Sequence, residues 1–272
     1  MGSVVAAVGM SHILAGKGTA EAQAERVFAG FQELGKSVAD TDADLILFIV
    51  CDHMANFGTS LEAPFTVGVA ESYLSLGDMD LPLTDVSGEG DFGRALVAGS
   101  SQRGFDLAVA HEIRPDHGLM IPRLFVDPEA KRPIVPLNIN INMNPPPSPK
   151  RCWELGRAIG AFISTEACTK RVLIVATGGL SHWIMRPEMG RVNADFDRAC
   201  MDAIAAGNGA DLSEMTFQQL EENAGNGGAE LVTWLCMAGA VAPHGGRVVF
   251  YEPMETWLTG MGAIVMKTGT EK

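Results

Sequence analysis

The sequence lacks the features of an exported or membrane-spanning chain. Its five cysteines are odd in number and show no CxxC spacing, and no basic segment precedes the first apolar run, residues 4–10. The longest uncharged, mostly apolar stretch, residues 231–243, is shorter than the roughly 20 residues that a membrane helix needs. We therefore expect reduced cysteines, no membrane span and a cytoplasmic protein.

Positive charge is also scarce, because 20 Lys and Arg residues stand against 33 Asp and Glu residues, a formal net charge of -13. Nucleic acids and anionic membranes attract basic surfaces, so we expect neither as a partner. The chain has 272 residues, of which 47% are hydrophobic and 19% charged, a balance that argues against disorder. This length suits one large α/β domain, residues 1–272.

Short apolar runs alternate with segments of helical spacing along the whole chain. Strands are predicted over residues 4–10, 45–50, 65–69, 107–110, 133–141, 171–175, 247–251 and 263–266. Helices are predicted over residues 19–38, 92–100, 119–125, 150–164, 193–205 and from residue 229, and Gly16 and Gly18 open the first loop. Residues 76–86 show no clear period. The alternation predicts a single α/β domain with a central mixed, largely parallel sheet flanked by helices.

Four of the six histidines follow apolar runs, directly or by a few residues: His12, His53, His117 and His182. Because parallel strands end at the same edge of a sheet, these four side chains could meet in one crevice. The alternative is that histidines collect at strand ends because loops are polar. His111 and His244 lack this arrangement, and we expect both to be structural or solvated.

Two glycine-rich turns accompany this set. Gly178 and Gly179 end a predicted strand before His182, which lets the backbone come close to a ligand. Residues 225–228, Gly-Asn-Gly-Gly, precede Glu230, a lone acid at the start of an apolar helix. Such an acid commonly serves the helix dipole or a cap. Two imidazoles and a carboxylate are also the ligands of non-haem Fe(II) that activates oxygen, so both interpretations of Glu230 stay open.

Five motifs in the chain resemble those of class III extradiol ring-cleavage dioxygenases. They are Ser11-His12-Ile13, Asp52-His53, Asp116-His117-Gly118, residues 177–182 (TGGLSH) and residues 228–234 (GAELVTW). The motifs occur in the family's order and span nearly the whole chain. The likeness is greatest to the catalytic β subunits of protocatechuate 4,5-dioxygenases.

The resemblance implies that His12, His53 and Glu230 bind Fe(II). It also implies that His182 is the acid/base histidine and that His117 is a second catalytic histidine beside the substrate and oxygen. Imidazole has a reference pKa of about 6.5, which suits His182 to take a proton from a catechol hydroxyl and return it. The expected reaction is extradiol cleavage of a catechol-type ring with O2, giving a ring-opened semialdehyde.

The chain departs from the protocatechuate pattern near its C-terminus. Where those subunits hold the substrate carboxylate, the gapped match here is Trp257 and Thr259. We expect this pair to bind a catechol with an apolar or aryl substituent, and the alternative is that Trp257 is a core residue. We expect a homo-oligomer. In the protocatechuate enzymes a small α subunit covers the active site; here either a separate subunit of this kind supplies the cover or the protein functions without one. The alternatives are a 2-aminophenol-cleaving or zinc-dependent relative, and a non-catalytic metal-binding scaffold of the same fold.

Overall fold

Ten strands and eight α-helices are formed by the residues that the computed structural model describes, 1–15, 20–58 and 60–269. The strands are β1 Ser3–Met10, β2 Leu45–Val50, β3 Phe65–Gly68, β4 Ser72–Leu74, β5 Asp85–Ser87, β6 Ala108–Ala110, β7 Ile134–Ile139, β8 Arg171–Thr177, β9 Gly246–Met254 and β10 Thr259–Met266. The helices are α1 Glu21–Ala39, α2 Gly90–Ser101, α3 His117–Val126, α4 Pro149–Ile163, α5 Ala194–Ala205, α6 Gly209–Leu212, α7 Phe217–Gly228 and α8 Leu231–Ala240. A short 3₁₀-helix, Glu255–Trp257, precedes β10.

Eight of these strands form one mixed sheet in the order β6-β3-β7-β2-β8-β1-β10-β9. The four central strands β7, β2, β8 and β1 are parallel, while β10 is antiparallel to β1 and β9 is antiparallel to β10. β3 and β6 are parallel to each other and antiparallel to β7. The other two strands, β4 and β5, pair as a separate ribbon. The predicted α/β fold with a mixed, largely parallel sheet is confirmed.

Helices cover both faces of this sheet. In β2, Leu45 and Leu47 pack into one apolar cluster with α2, α4, α5 and α8, while Ile46 and Phe48 pack into a second cluster with α1 and α3. Successive strand residues point to opposite faces, so a strand covered on both sides is apolar at every position. This is why an uninterrupted apolar run identified β2 from the sequence.

The structure refines several predicted boundaries. The first helix begins at Glu21, and Gly16, Gly18 and Thr19, which were predicted to open the loop and the helix, lie outside the described residues. α3 begins at His117, earlier than predicted, because the Asp116 side chain caps the helix by accepting from the Gly118 amide. The predicted break at residues 225–228 is a kink within α7 at Gly225, whose φ is 83°.

All five cysteines are buried and unpaired. Among the described helices, none combines the length and the apolar character that crossing a membrane would require.

Candidate active site

Three of the four selected histidines reach one edge of the sheet by the route that the sequence predicted. β2, β8 and β1 are adjacent and parallel, so their carboxyl ends lie side by side. His53, His182 and His12 follow these ends. Ser11, just before His12, accepts a hydrogen bond from Gly262 N at 3.1 Å, which ties this strand end to β10. The edge is where ligands bind in open α/β sheets.

His117 arrives by a different route, so the strand-end explanation for it is wrong. β6 runs opposite to the central strands, and its carboxyl end faces the other edge of the sheet. Residues 111–116 bring the chain back to the site. This segment is held by Arg114 N, which donates to Asn56 Oδ1 at 2.6 Å, and by Leu76 N, which donates to Pro115 O at 2.8 Å. His117 then begins α3 beside His53.

The imidazoles of His12, His53 and His117 form a compact cluster. The ring centroids of His53 and His117 are 4.2 Å apart, those of His12 and His53 are 4.9 Å apart, and those of His12 and His117 are 5.4 Å apart. One nitrogen from each ring can be chosen such that all three lie within 4.8 Å of one another. Such a group of nitrogen atoms could hold a metal ion.

Glu230 lies against two of these rings. Its Oε1 is 3.1 Å from Nε2 of His53, and its Oε2 is 3.7 Å from Nε2 of His12. Oε2 also accepts from the amide of Gly179 at 2.5 Å. Burial would raise the pKa of this carboxyl, but its electrostatic interaction with His12 and its hydrogen bond to His53 hold the pKa well below its usual range. The side chain makes no capping hydrogen bond to α8, so it faces the site as an anion instead of serving the helix end.

Carboxylates fix two of the histidine rings from behind. Nδ1 of His53 lies 3.0 Å from Oδ2 of Asp116, and Nδ1 of His117 lies 2.5 Å from Oδ2 of Asp78. Because an ionised carboxylate only accepts hydrogen bonds, Nδ1 of each ring carries a hydrogen. Nε2 of His117 is then the atom left to accept, while Nε2 of His53 faces Glu230 and would give up its proton to a bound metal ion. Asp78 lies in the segment 76–86, to which the sequence assigned no role. No periodicity or motif could have identified it, since its function depends on a contact with a distant residue.

The pKa values of His12 and His53 are shifted in opposite directions. Burial lowers the pKa of His12 to about 3, and its Nδ1 has no hydrogen-bond partner among the described residues. Burial also disfavours charge on His53, but its hydrogen bonds to Asp116 and Glu230 raise its pKa to about 10. The two carboxylates thus create a negative potential around the histidine cluster, which favours a cation.

These residues fit a divalent metal ion. Two ligands that are each about 2.1 Å from one ion lie about 3.0 Å apart at a right angle and about 3.4 Å apart at a tetrahedral angle. The 3.1 Å between His53 Nε2 and Glu230 Oε1 falls within this range. Two sets of three ligands are available around the same point. One is the His12, His53 and Glu230 set, and the other replaces Glu230 with His117.

His182 lies across Gly179 from Glu230, since a Cβ on that glycine would meet both side chains. Its Nδ1 donates to the carbonyl of Leu180 at 2.8 Å, so Nε2 keeps its lone pair. Gly227 makes room for the ring, because a Cβ there would overlap Nε2. The backbone is fixed as well, with His182 N donating to Ala224 O at 2.7 Å.

The two residues predicted to bind substrate are both buried. Trp257 ends the 3₁₀-helix and packs edge-to-face on Phe28 of α1, with 6.4 Å between ring centroids. Thr259 begins β10 and is 2% exposed. Trp257 packs within the apolar core, and Oγ1 of Thr259 donates to the carbonyl of Gly260 at 3.1 Å. Their role in substrate binding stays a prediction.

The fold and the cluster of imidazoles and carboxylates define a candidate metal-dependent α/β enzyme. Residues 6–262 match the family described as the catalytic LigB subunit of aromatic ring-opening dioxygenase. The chain belongs to this family, whose members are metal-dependent, and it is an extradiol ring-cleavage dioxygenase. The resemblance found in the sequence is thereby confirmed.

Similar proteins carry a consistent description. The chain is 26% identical over 298 residues to a 2,3-dihydroxyphenylpropionate/2,3-dihydroxicinnamic acid 1,2-dioxygenase from Photorhabdus laumondii, with 92% of this chain and 93% of the relative covered. It is 29% identical over 255 residues to an enzyme of the same description from Mycolicibacterium smegmatis, with 77% and 80% covered. A crystal structure of an uncharacterized protein from Escherichia coli K12 shares the fold, with a TM-score of 0.62, 16% identity and coverage of 97% and 100%.

Proposed function

We propose that the protein is an Fe(II)-dependent dioxygenase that opens a catechol-type ring with O2 to give a semialdehyde. In this proposal His12, His53 and Glu230 hold the iron. The supporting observation is the position of Glu230, a buried carboxylate with one oxygen toward each of these two imidazoles. Two neutral imidazoles and one carboxylate, with other positions open, are the ligands typical of non-haem Fe(II) that reacts with oxygen.

His117 is proposed as a catalytic histidine and not as a ligand. Its Nδ1 hydrogen is held by Asp78, so Nε2 can accept a hydrogen bond from, or share a proton with, a substrate beside the metal. On distance alone, a set of His12, His53 and His117 is supported equally well, because His117 lies as close to the other two rings as a ligand would need to. Glu230 supports the His12, His53 and Glu230 set, because an anionic carboxylate this deeply buried needs a cation.

Bound Fe(II) would hold the substrate and dioxygen side by side and couple them electronically. The chain supplies the proton transfers. His182 accepts a proton from a substrate hydroxyl at Nε2, since its Nδ1 is committed to the Leu180 carbonyl, and it later returns the proton from the same atom. The hydrogen bonds of its main chain keep the ring at the edge of the site.

The substrate is proposed to be a substituted catechol. The relatives from Photorhabdus laumondii and Mycolicibacterium smegmatis are described as acting on 2,3-dihydroxyphenyl compounds with an acid side chain. Trp257 and Thr259 are proposed to receive the substituent, for which an apolar or aryl group remains our expectation. We further propose a cytoplasmic homo-oligomer, with or without a small α-type subunit.

The test is anaerobic loading with Fe(II), followed by exposure to air with a panel of catechols. The panel includes 2,3-dihydroxyphenylpropionate, a catechol with an aryl substituent and 2-aminophenol. We expect the absorbance of a ring-opened semialdehyde with at least one catechol. Product from 2-aminophenol alone would favour the aminophenol-cleaving alternative, and activity with Zn(II) but not Fe(II) would favour the zinc alternative. The absence of ring opening with every compound would contradict the proposal.

A further inference from the structure

The loop that carries His182 is tied to a buried carboxylate on a neighbouring helix. Asp197 lies in α5 and is 1% exposed. Its Oδ1 accepts a hydrogen bond from Ser181 N at 2.8 Å, and its Oδ2 accepts one from Ser181 Oγ at 2.8 Å. Ser181 directly precedes His182. The carboxylate therefore holds both the main chain and the side chain of the residue next to the imidazole.

A third hydrogen bond reaches Asp197 from the edge of the sheet. The hydroxyl of Tyr251, in β9, donates to Oδ2 at 2.7 Å. The guanidinium of Arg198 lies over the Tyr251 ring, with Cζ 4.5 Å from the centroid. Gly260 of β10 leaves the space that the carboxylate occupies, because a Cβ there would overlap Oδ2. Asp197 thus joins α5, β9, β10 and the loop after β8.

The same loop is held by β10. Leu180 N donates to Gly260 O at 3.2 Å, and Gly260 N donates to Ser181 O at 3.0 Å. The carbonyl of Leu180 then accepts from Nδ1 of His182 at 2.8 Å. The Leu180 carbonyl therefore fixes the tautomer and direction of the imidazole. Leu180 and Ser181 are in turn held in place by Asp197 and β10.

Packing alone gives no reason for a charged group at position 197. Among the described residues, Asp197 forms no ion pair with a Lys or Arg side chain and relies on its three hydrogen bonds. Burial raises the pKa of this carboxyl, while the hydrogen bonds from Tyr251 and Ser181 act in the opposite direction. A buried carboxylate without a cation costs stability that an apolar side chain would not.

We propose that Asp197 is a positioning residue for His182 and that Tyr251 holds its carboxylate. The inference rests on the proposed function, in which His182 moves protons. Asp197 does not touch the reacting atoms; it acts through Ser181 and Leu180, which set where Nε2 points. A displacement of about 1 Å at a proton-transferring group can cost about 100-fold in rate.

The test compares kcat per bound iron for the parent, Asp197→Asn and Tyr251→Phe. The Asn variant keeps the size of the side chain but loses the anionic acceptor, and we expect kcat to fall roughly 10- to 100-fold with KM changed less than about threefold. Tyr251→Phe removes only one hydrogen bond and should give a smaller loss in the same direction. Asp195→Asn, an exposed position in the first turn of α5, is the matched control and should match the parent.

A double-mutant cycle separates positioning from general support of the fold. If Asp197 acts through His182, then His182→Ala and His182→Ala/Asp197→Asn should have the same residual kcat per bound iron. A further loss in the double variant would overturn the inference, as would parent-like kcat in both Asp197→Asn and Tyr251→Phe. If Asp197→Asn does not fold, Tyr251→Phe is compared in the same cycle. Lack of turnover in the parent would instead count against the proposed function.

Discussion

Oδ2 of Asp78 lies 2.5 Å from Nδ1 of His117 and 3.3 Å from the His117 main-chain nitrogen. The two residues come from different parts of the fold, since Asp78 lies in the loop between β4 and β5 and His117 begins α3. The arrangement matches that of His53, whose Nδ1 and main-chain nitrogen both face Oδ2 of Asp116. A carboxylate thus holds the Nδ1 hydrogen of each of these two imidazoles and fixes the direction of the ring.

The first prediction concerns this contact. Replacing Asp78 with Asn removes the charge that fixes the Nδ1 hydrogen of His117, and we expect kcat to fall about 10- to 100-fold. Iron content should stay at the parent level, because Asp78 contacts no proposed ligand. Steady-state kinetics with iron analysis of the same samples checks both. Asp80→Asn, at an exposed position of the same loop, serves as the control, and equal losses in the two variants would show that the loop matters and the contact does not.

The second prediction concerns the space around His182. A Cβ on Gly227 would overlap Nε2 of the imidazole, so Gly227→Ala should displace the ring and lower kcat by about 100-fold or more. Gly58→Ala is the matched control, because a Cβ there would meet nothing within 4 Å. Both variants should bind iron. Near-parent kcat in Gly227→Ala would mean that turnover does not depend on the position of Nε2 of His182.

The extent to which the sequence foretold this site differs from residue to residue. His12, His53 and His182 could be placed because each follows an apolar run that forms a buried strand, and the three strands are parallel neighbours. His117 was selected by the same rule, but β6 runs the other way, and the orientation of so short an edge strand depends on pairing that periodicity does not encode.

The carboxylates that hold or contact these histidines could not be predicted from the sequence, for a related reason. Asp78 lies in a segment without a period, and Asp197 lies on a helix whose apolar face could be predicted while its contact with Ser181 could not. Glu230 left two interpretations open from spacing alone. Its side chain makes no capping hydrogen bond and lies against His53, a result that required the positions of three separate elements.

The third prediction separates the two possible ligand sets. Glu230→Ala should lower iron affinity at least about tenfold, while His117→Ala and His182→Ala should keep iron and lose turnover. Iron per chain after anaerobic loading and gel filtration is the measurement, with His111→Ala as an exposed histidine control. Iron loss in His117→Ala with iron retained in Glu230→Ala would establish the three-histidine set instead.

The fourth prediction concerns the thiols and pH. Burial raises the pKa of Cys152 and Cys236, and it raises the pKa of Cys200 to about 12, helped by the charge of Asp197. A raised pKa keeps a thiol protonated as pH rises, and the thiolate is the reactive form. Alkylation by iodoacetamide should therefore be negligible from pH 7 to 9 in the folded protein and complete in denaturant. Rapid modification of the native protein at pH 8 would contradict this burial.

The central claim is that iron at the His12, His53 and Glu230 site opens a catechol ring with dioxygen. Its most direct test is oxygen uptake by the Fe(II)-loaded protein, measured together with the semialdehyde formed from the best substrate of the panel. The account predicts one O2 consumed for each ring opened, and no uptake by the Glu230→Ala variant. Uptake that yields hydrogen peroxide and leaves the ring intact, or ring opening that persists without iron, would contradict it.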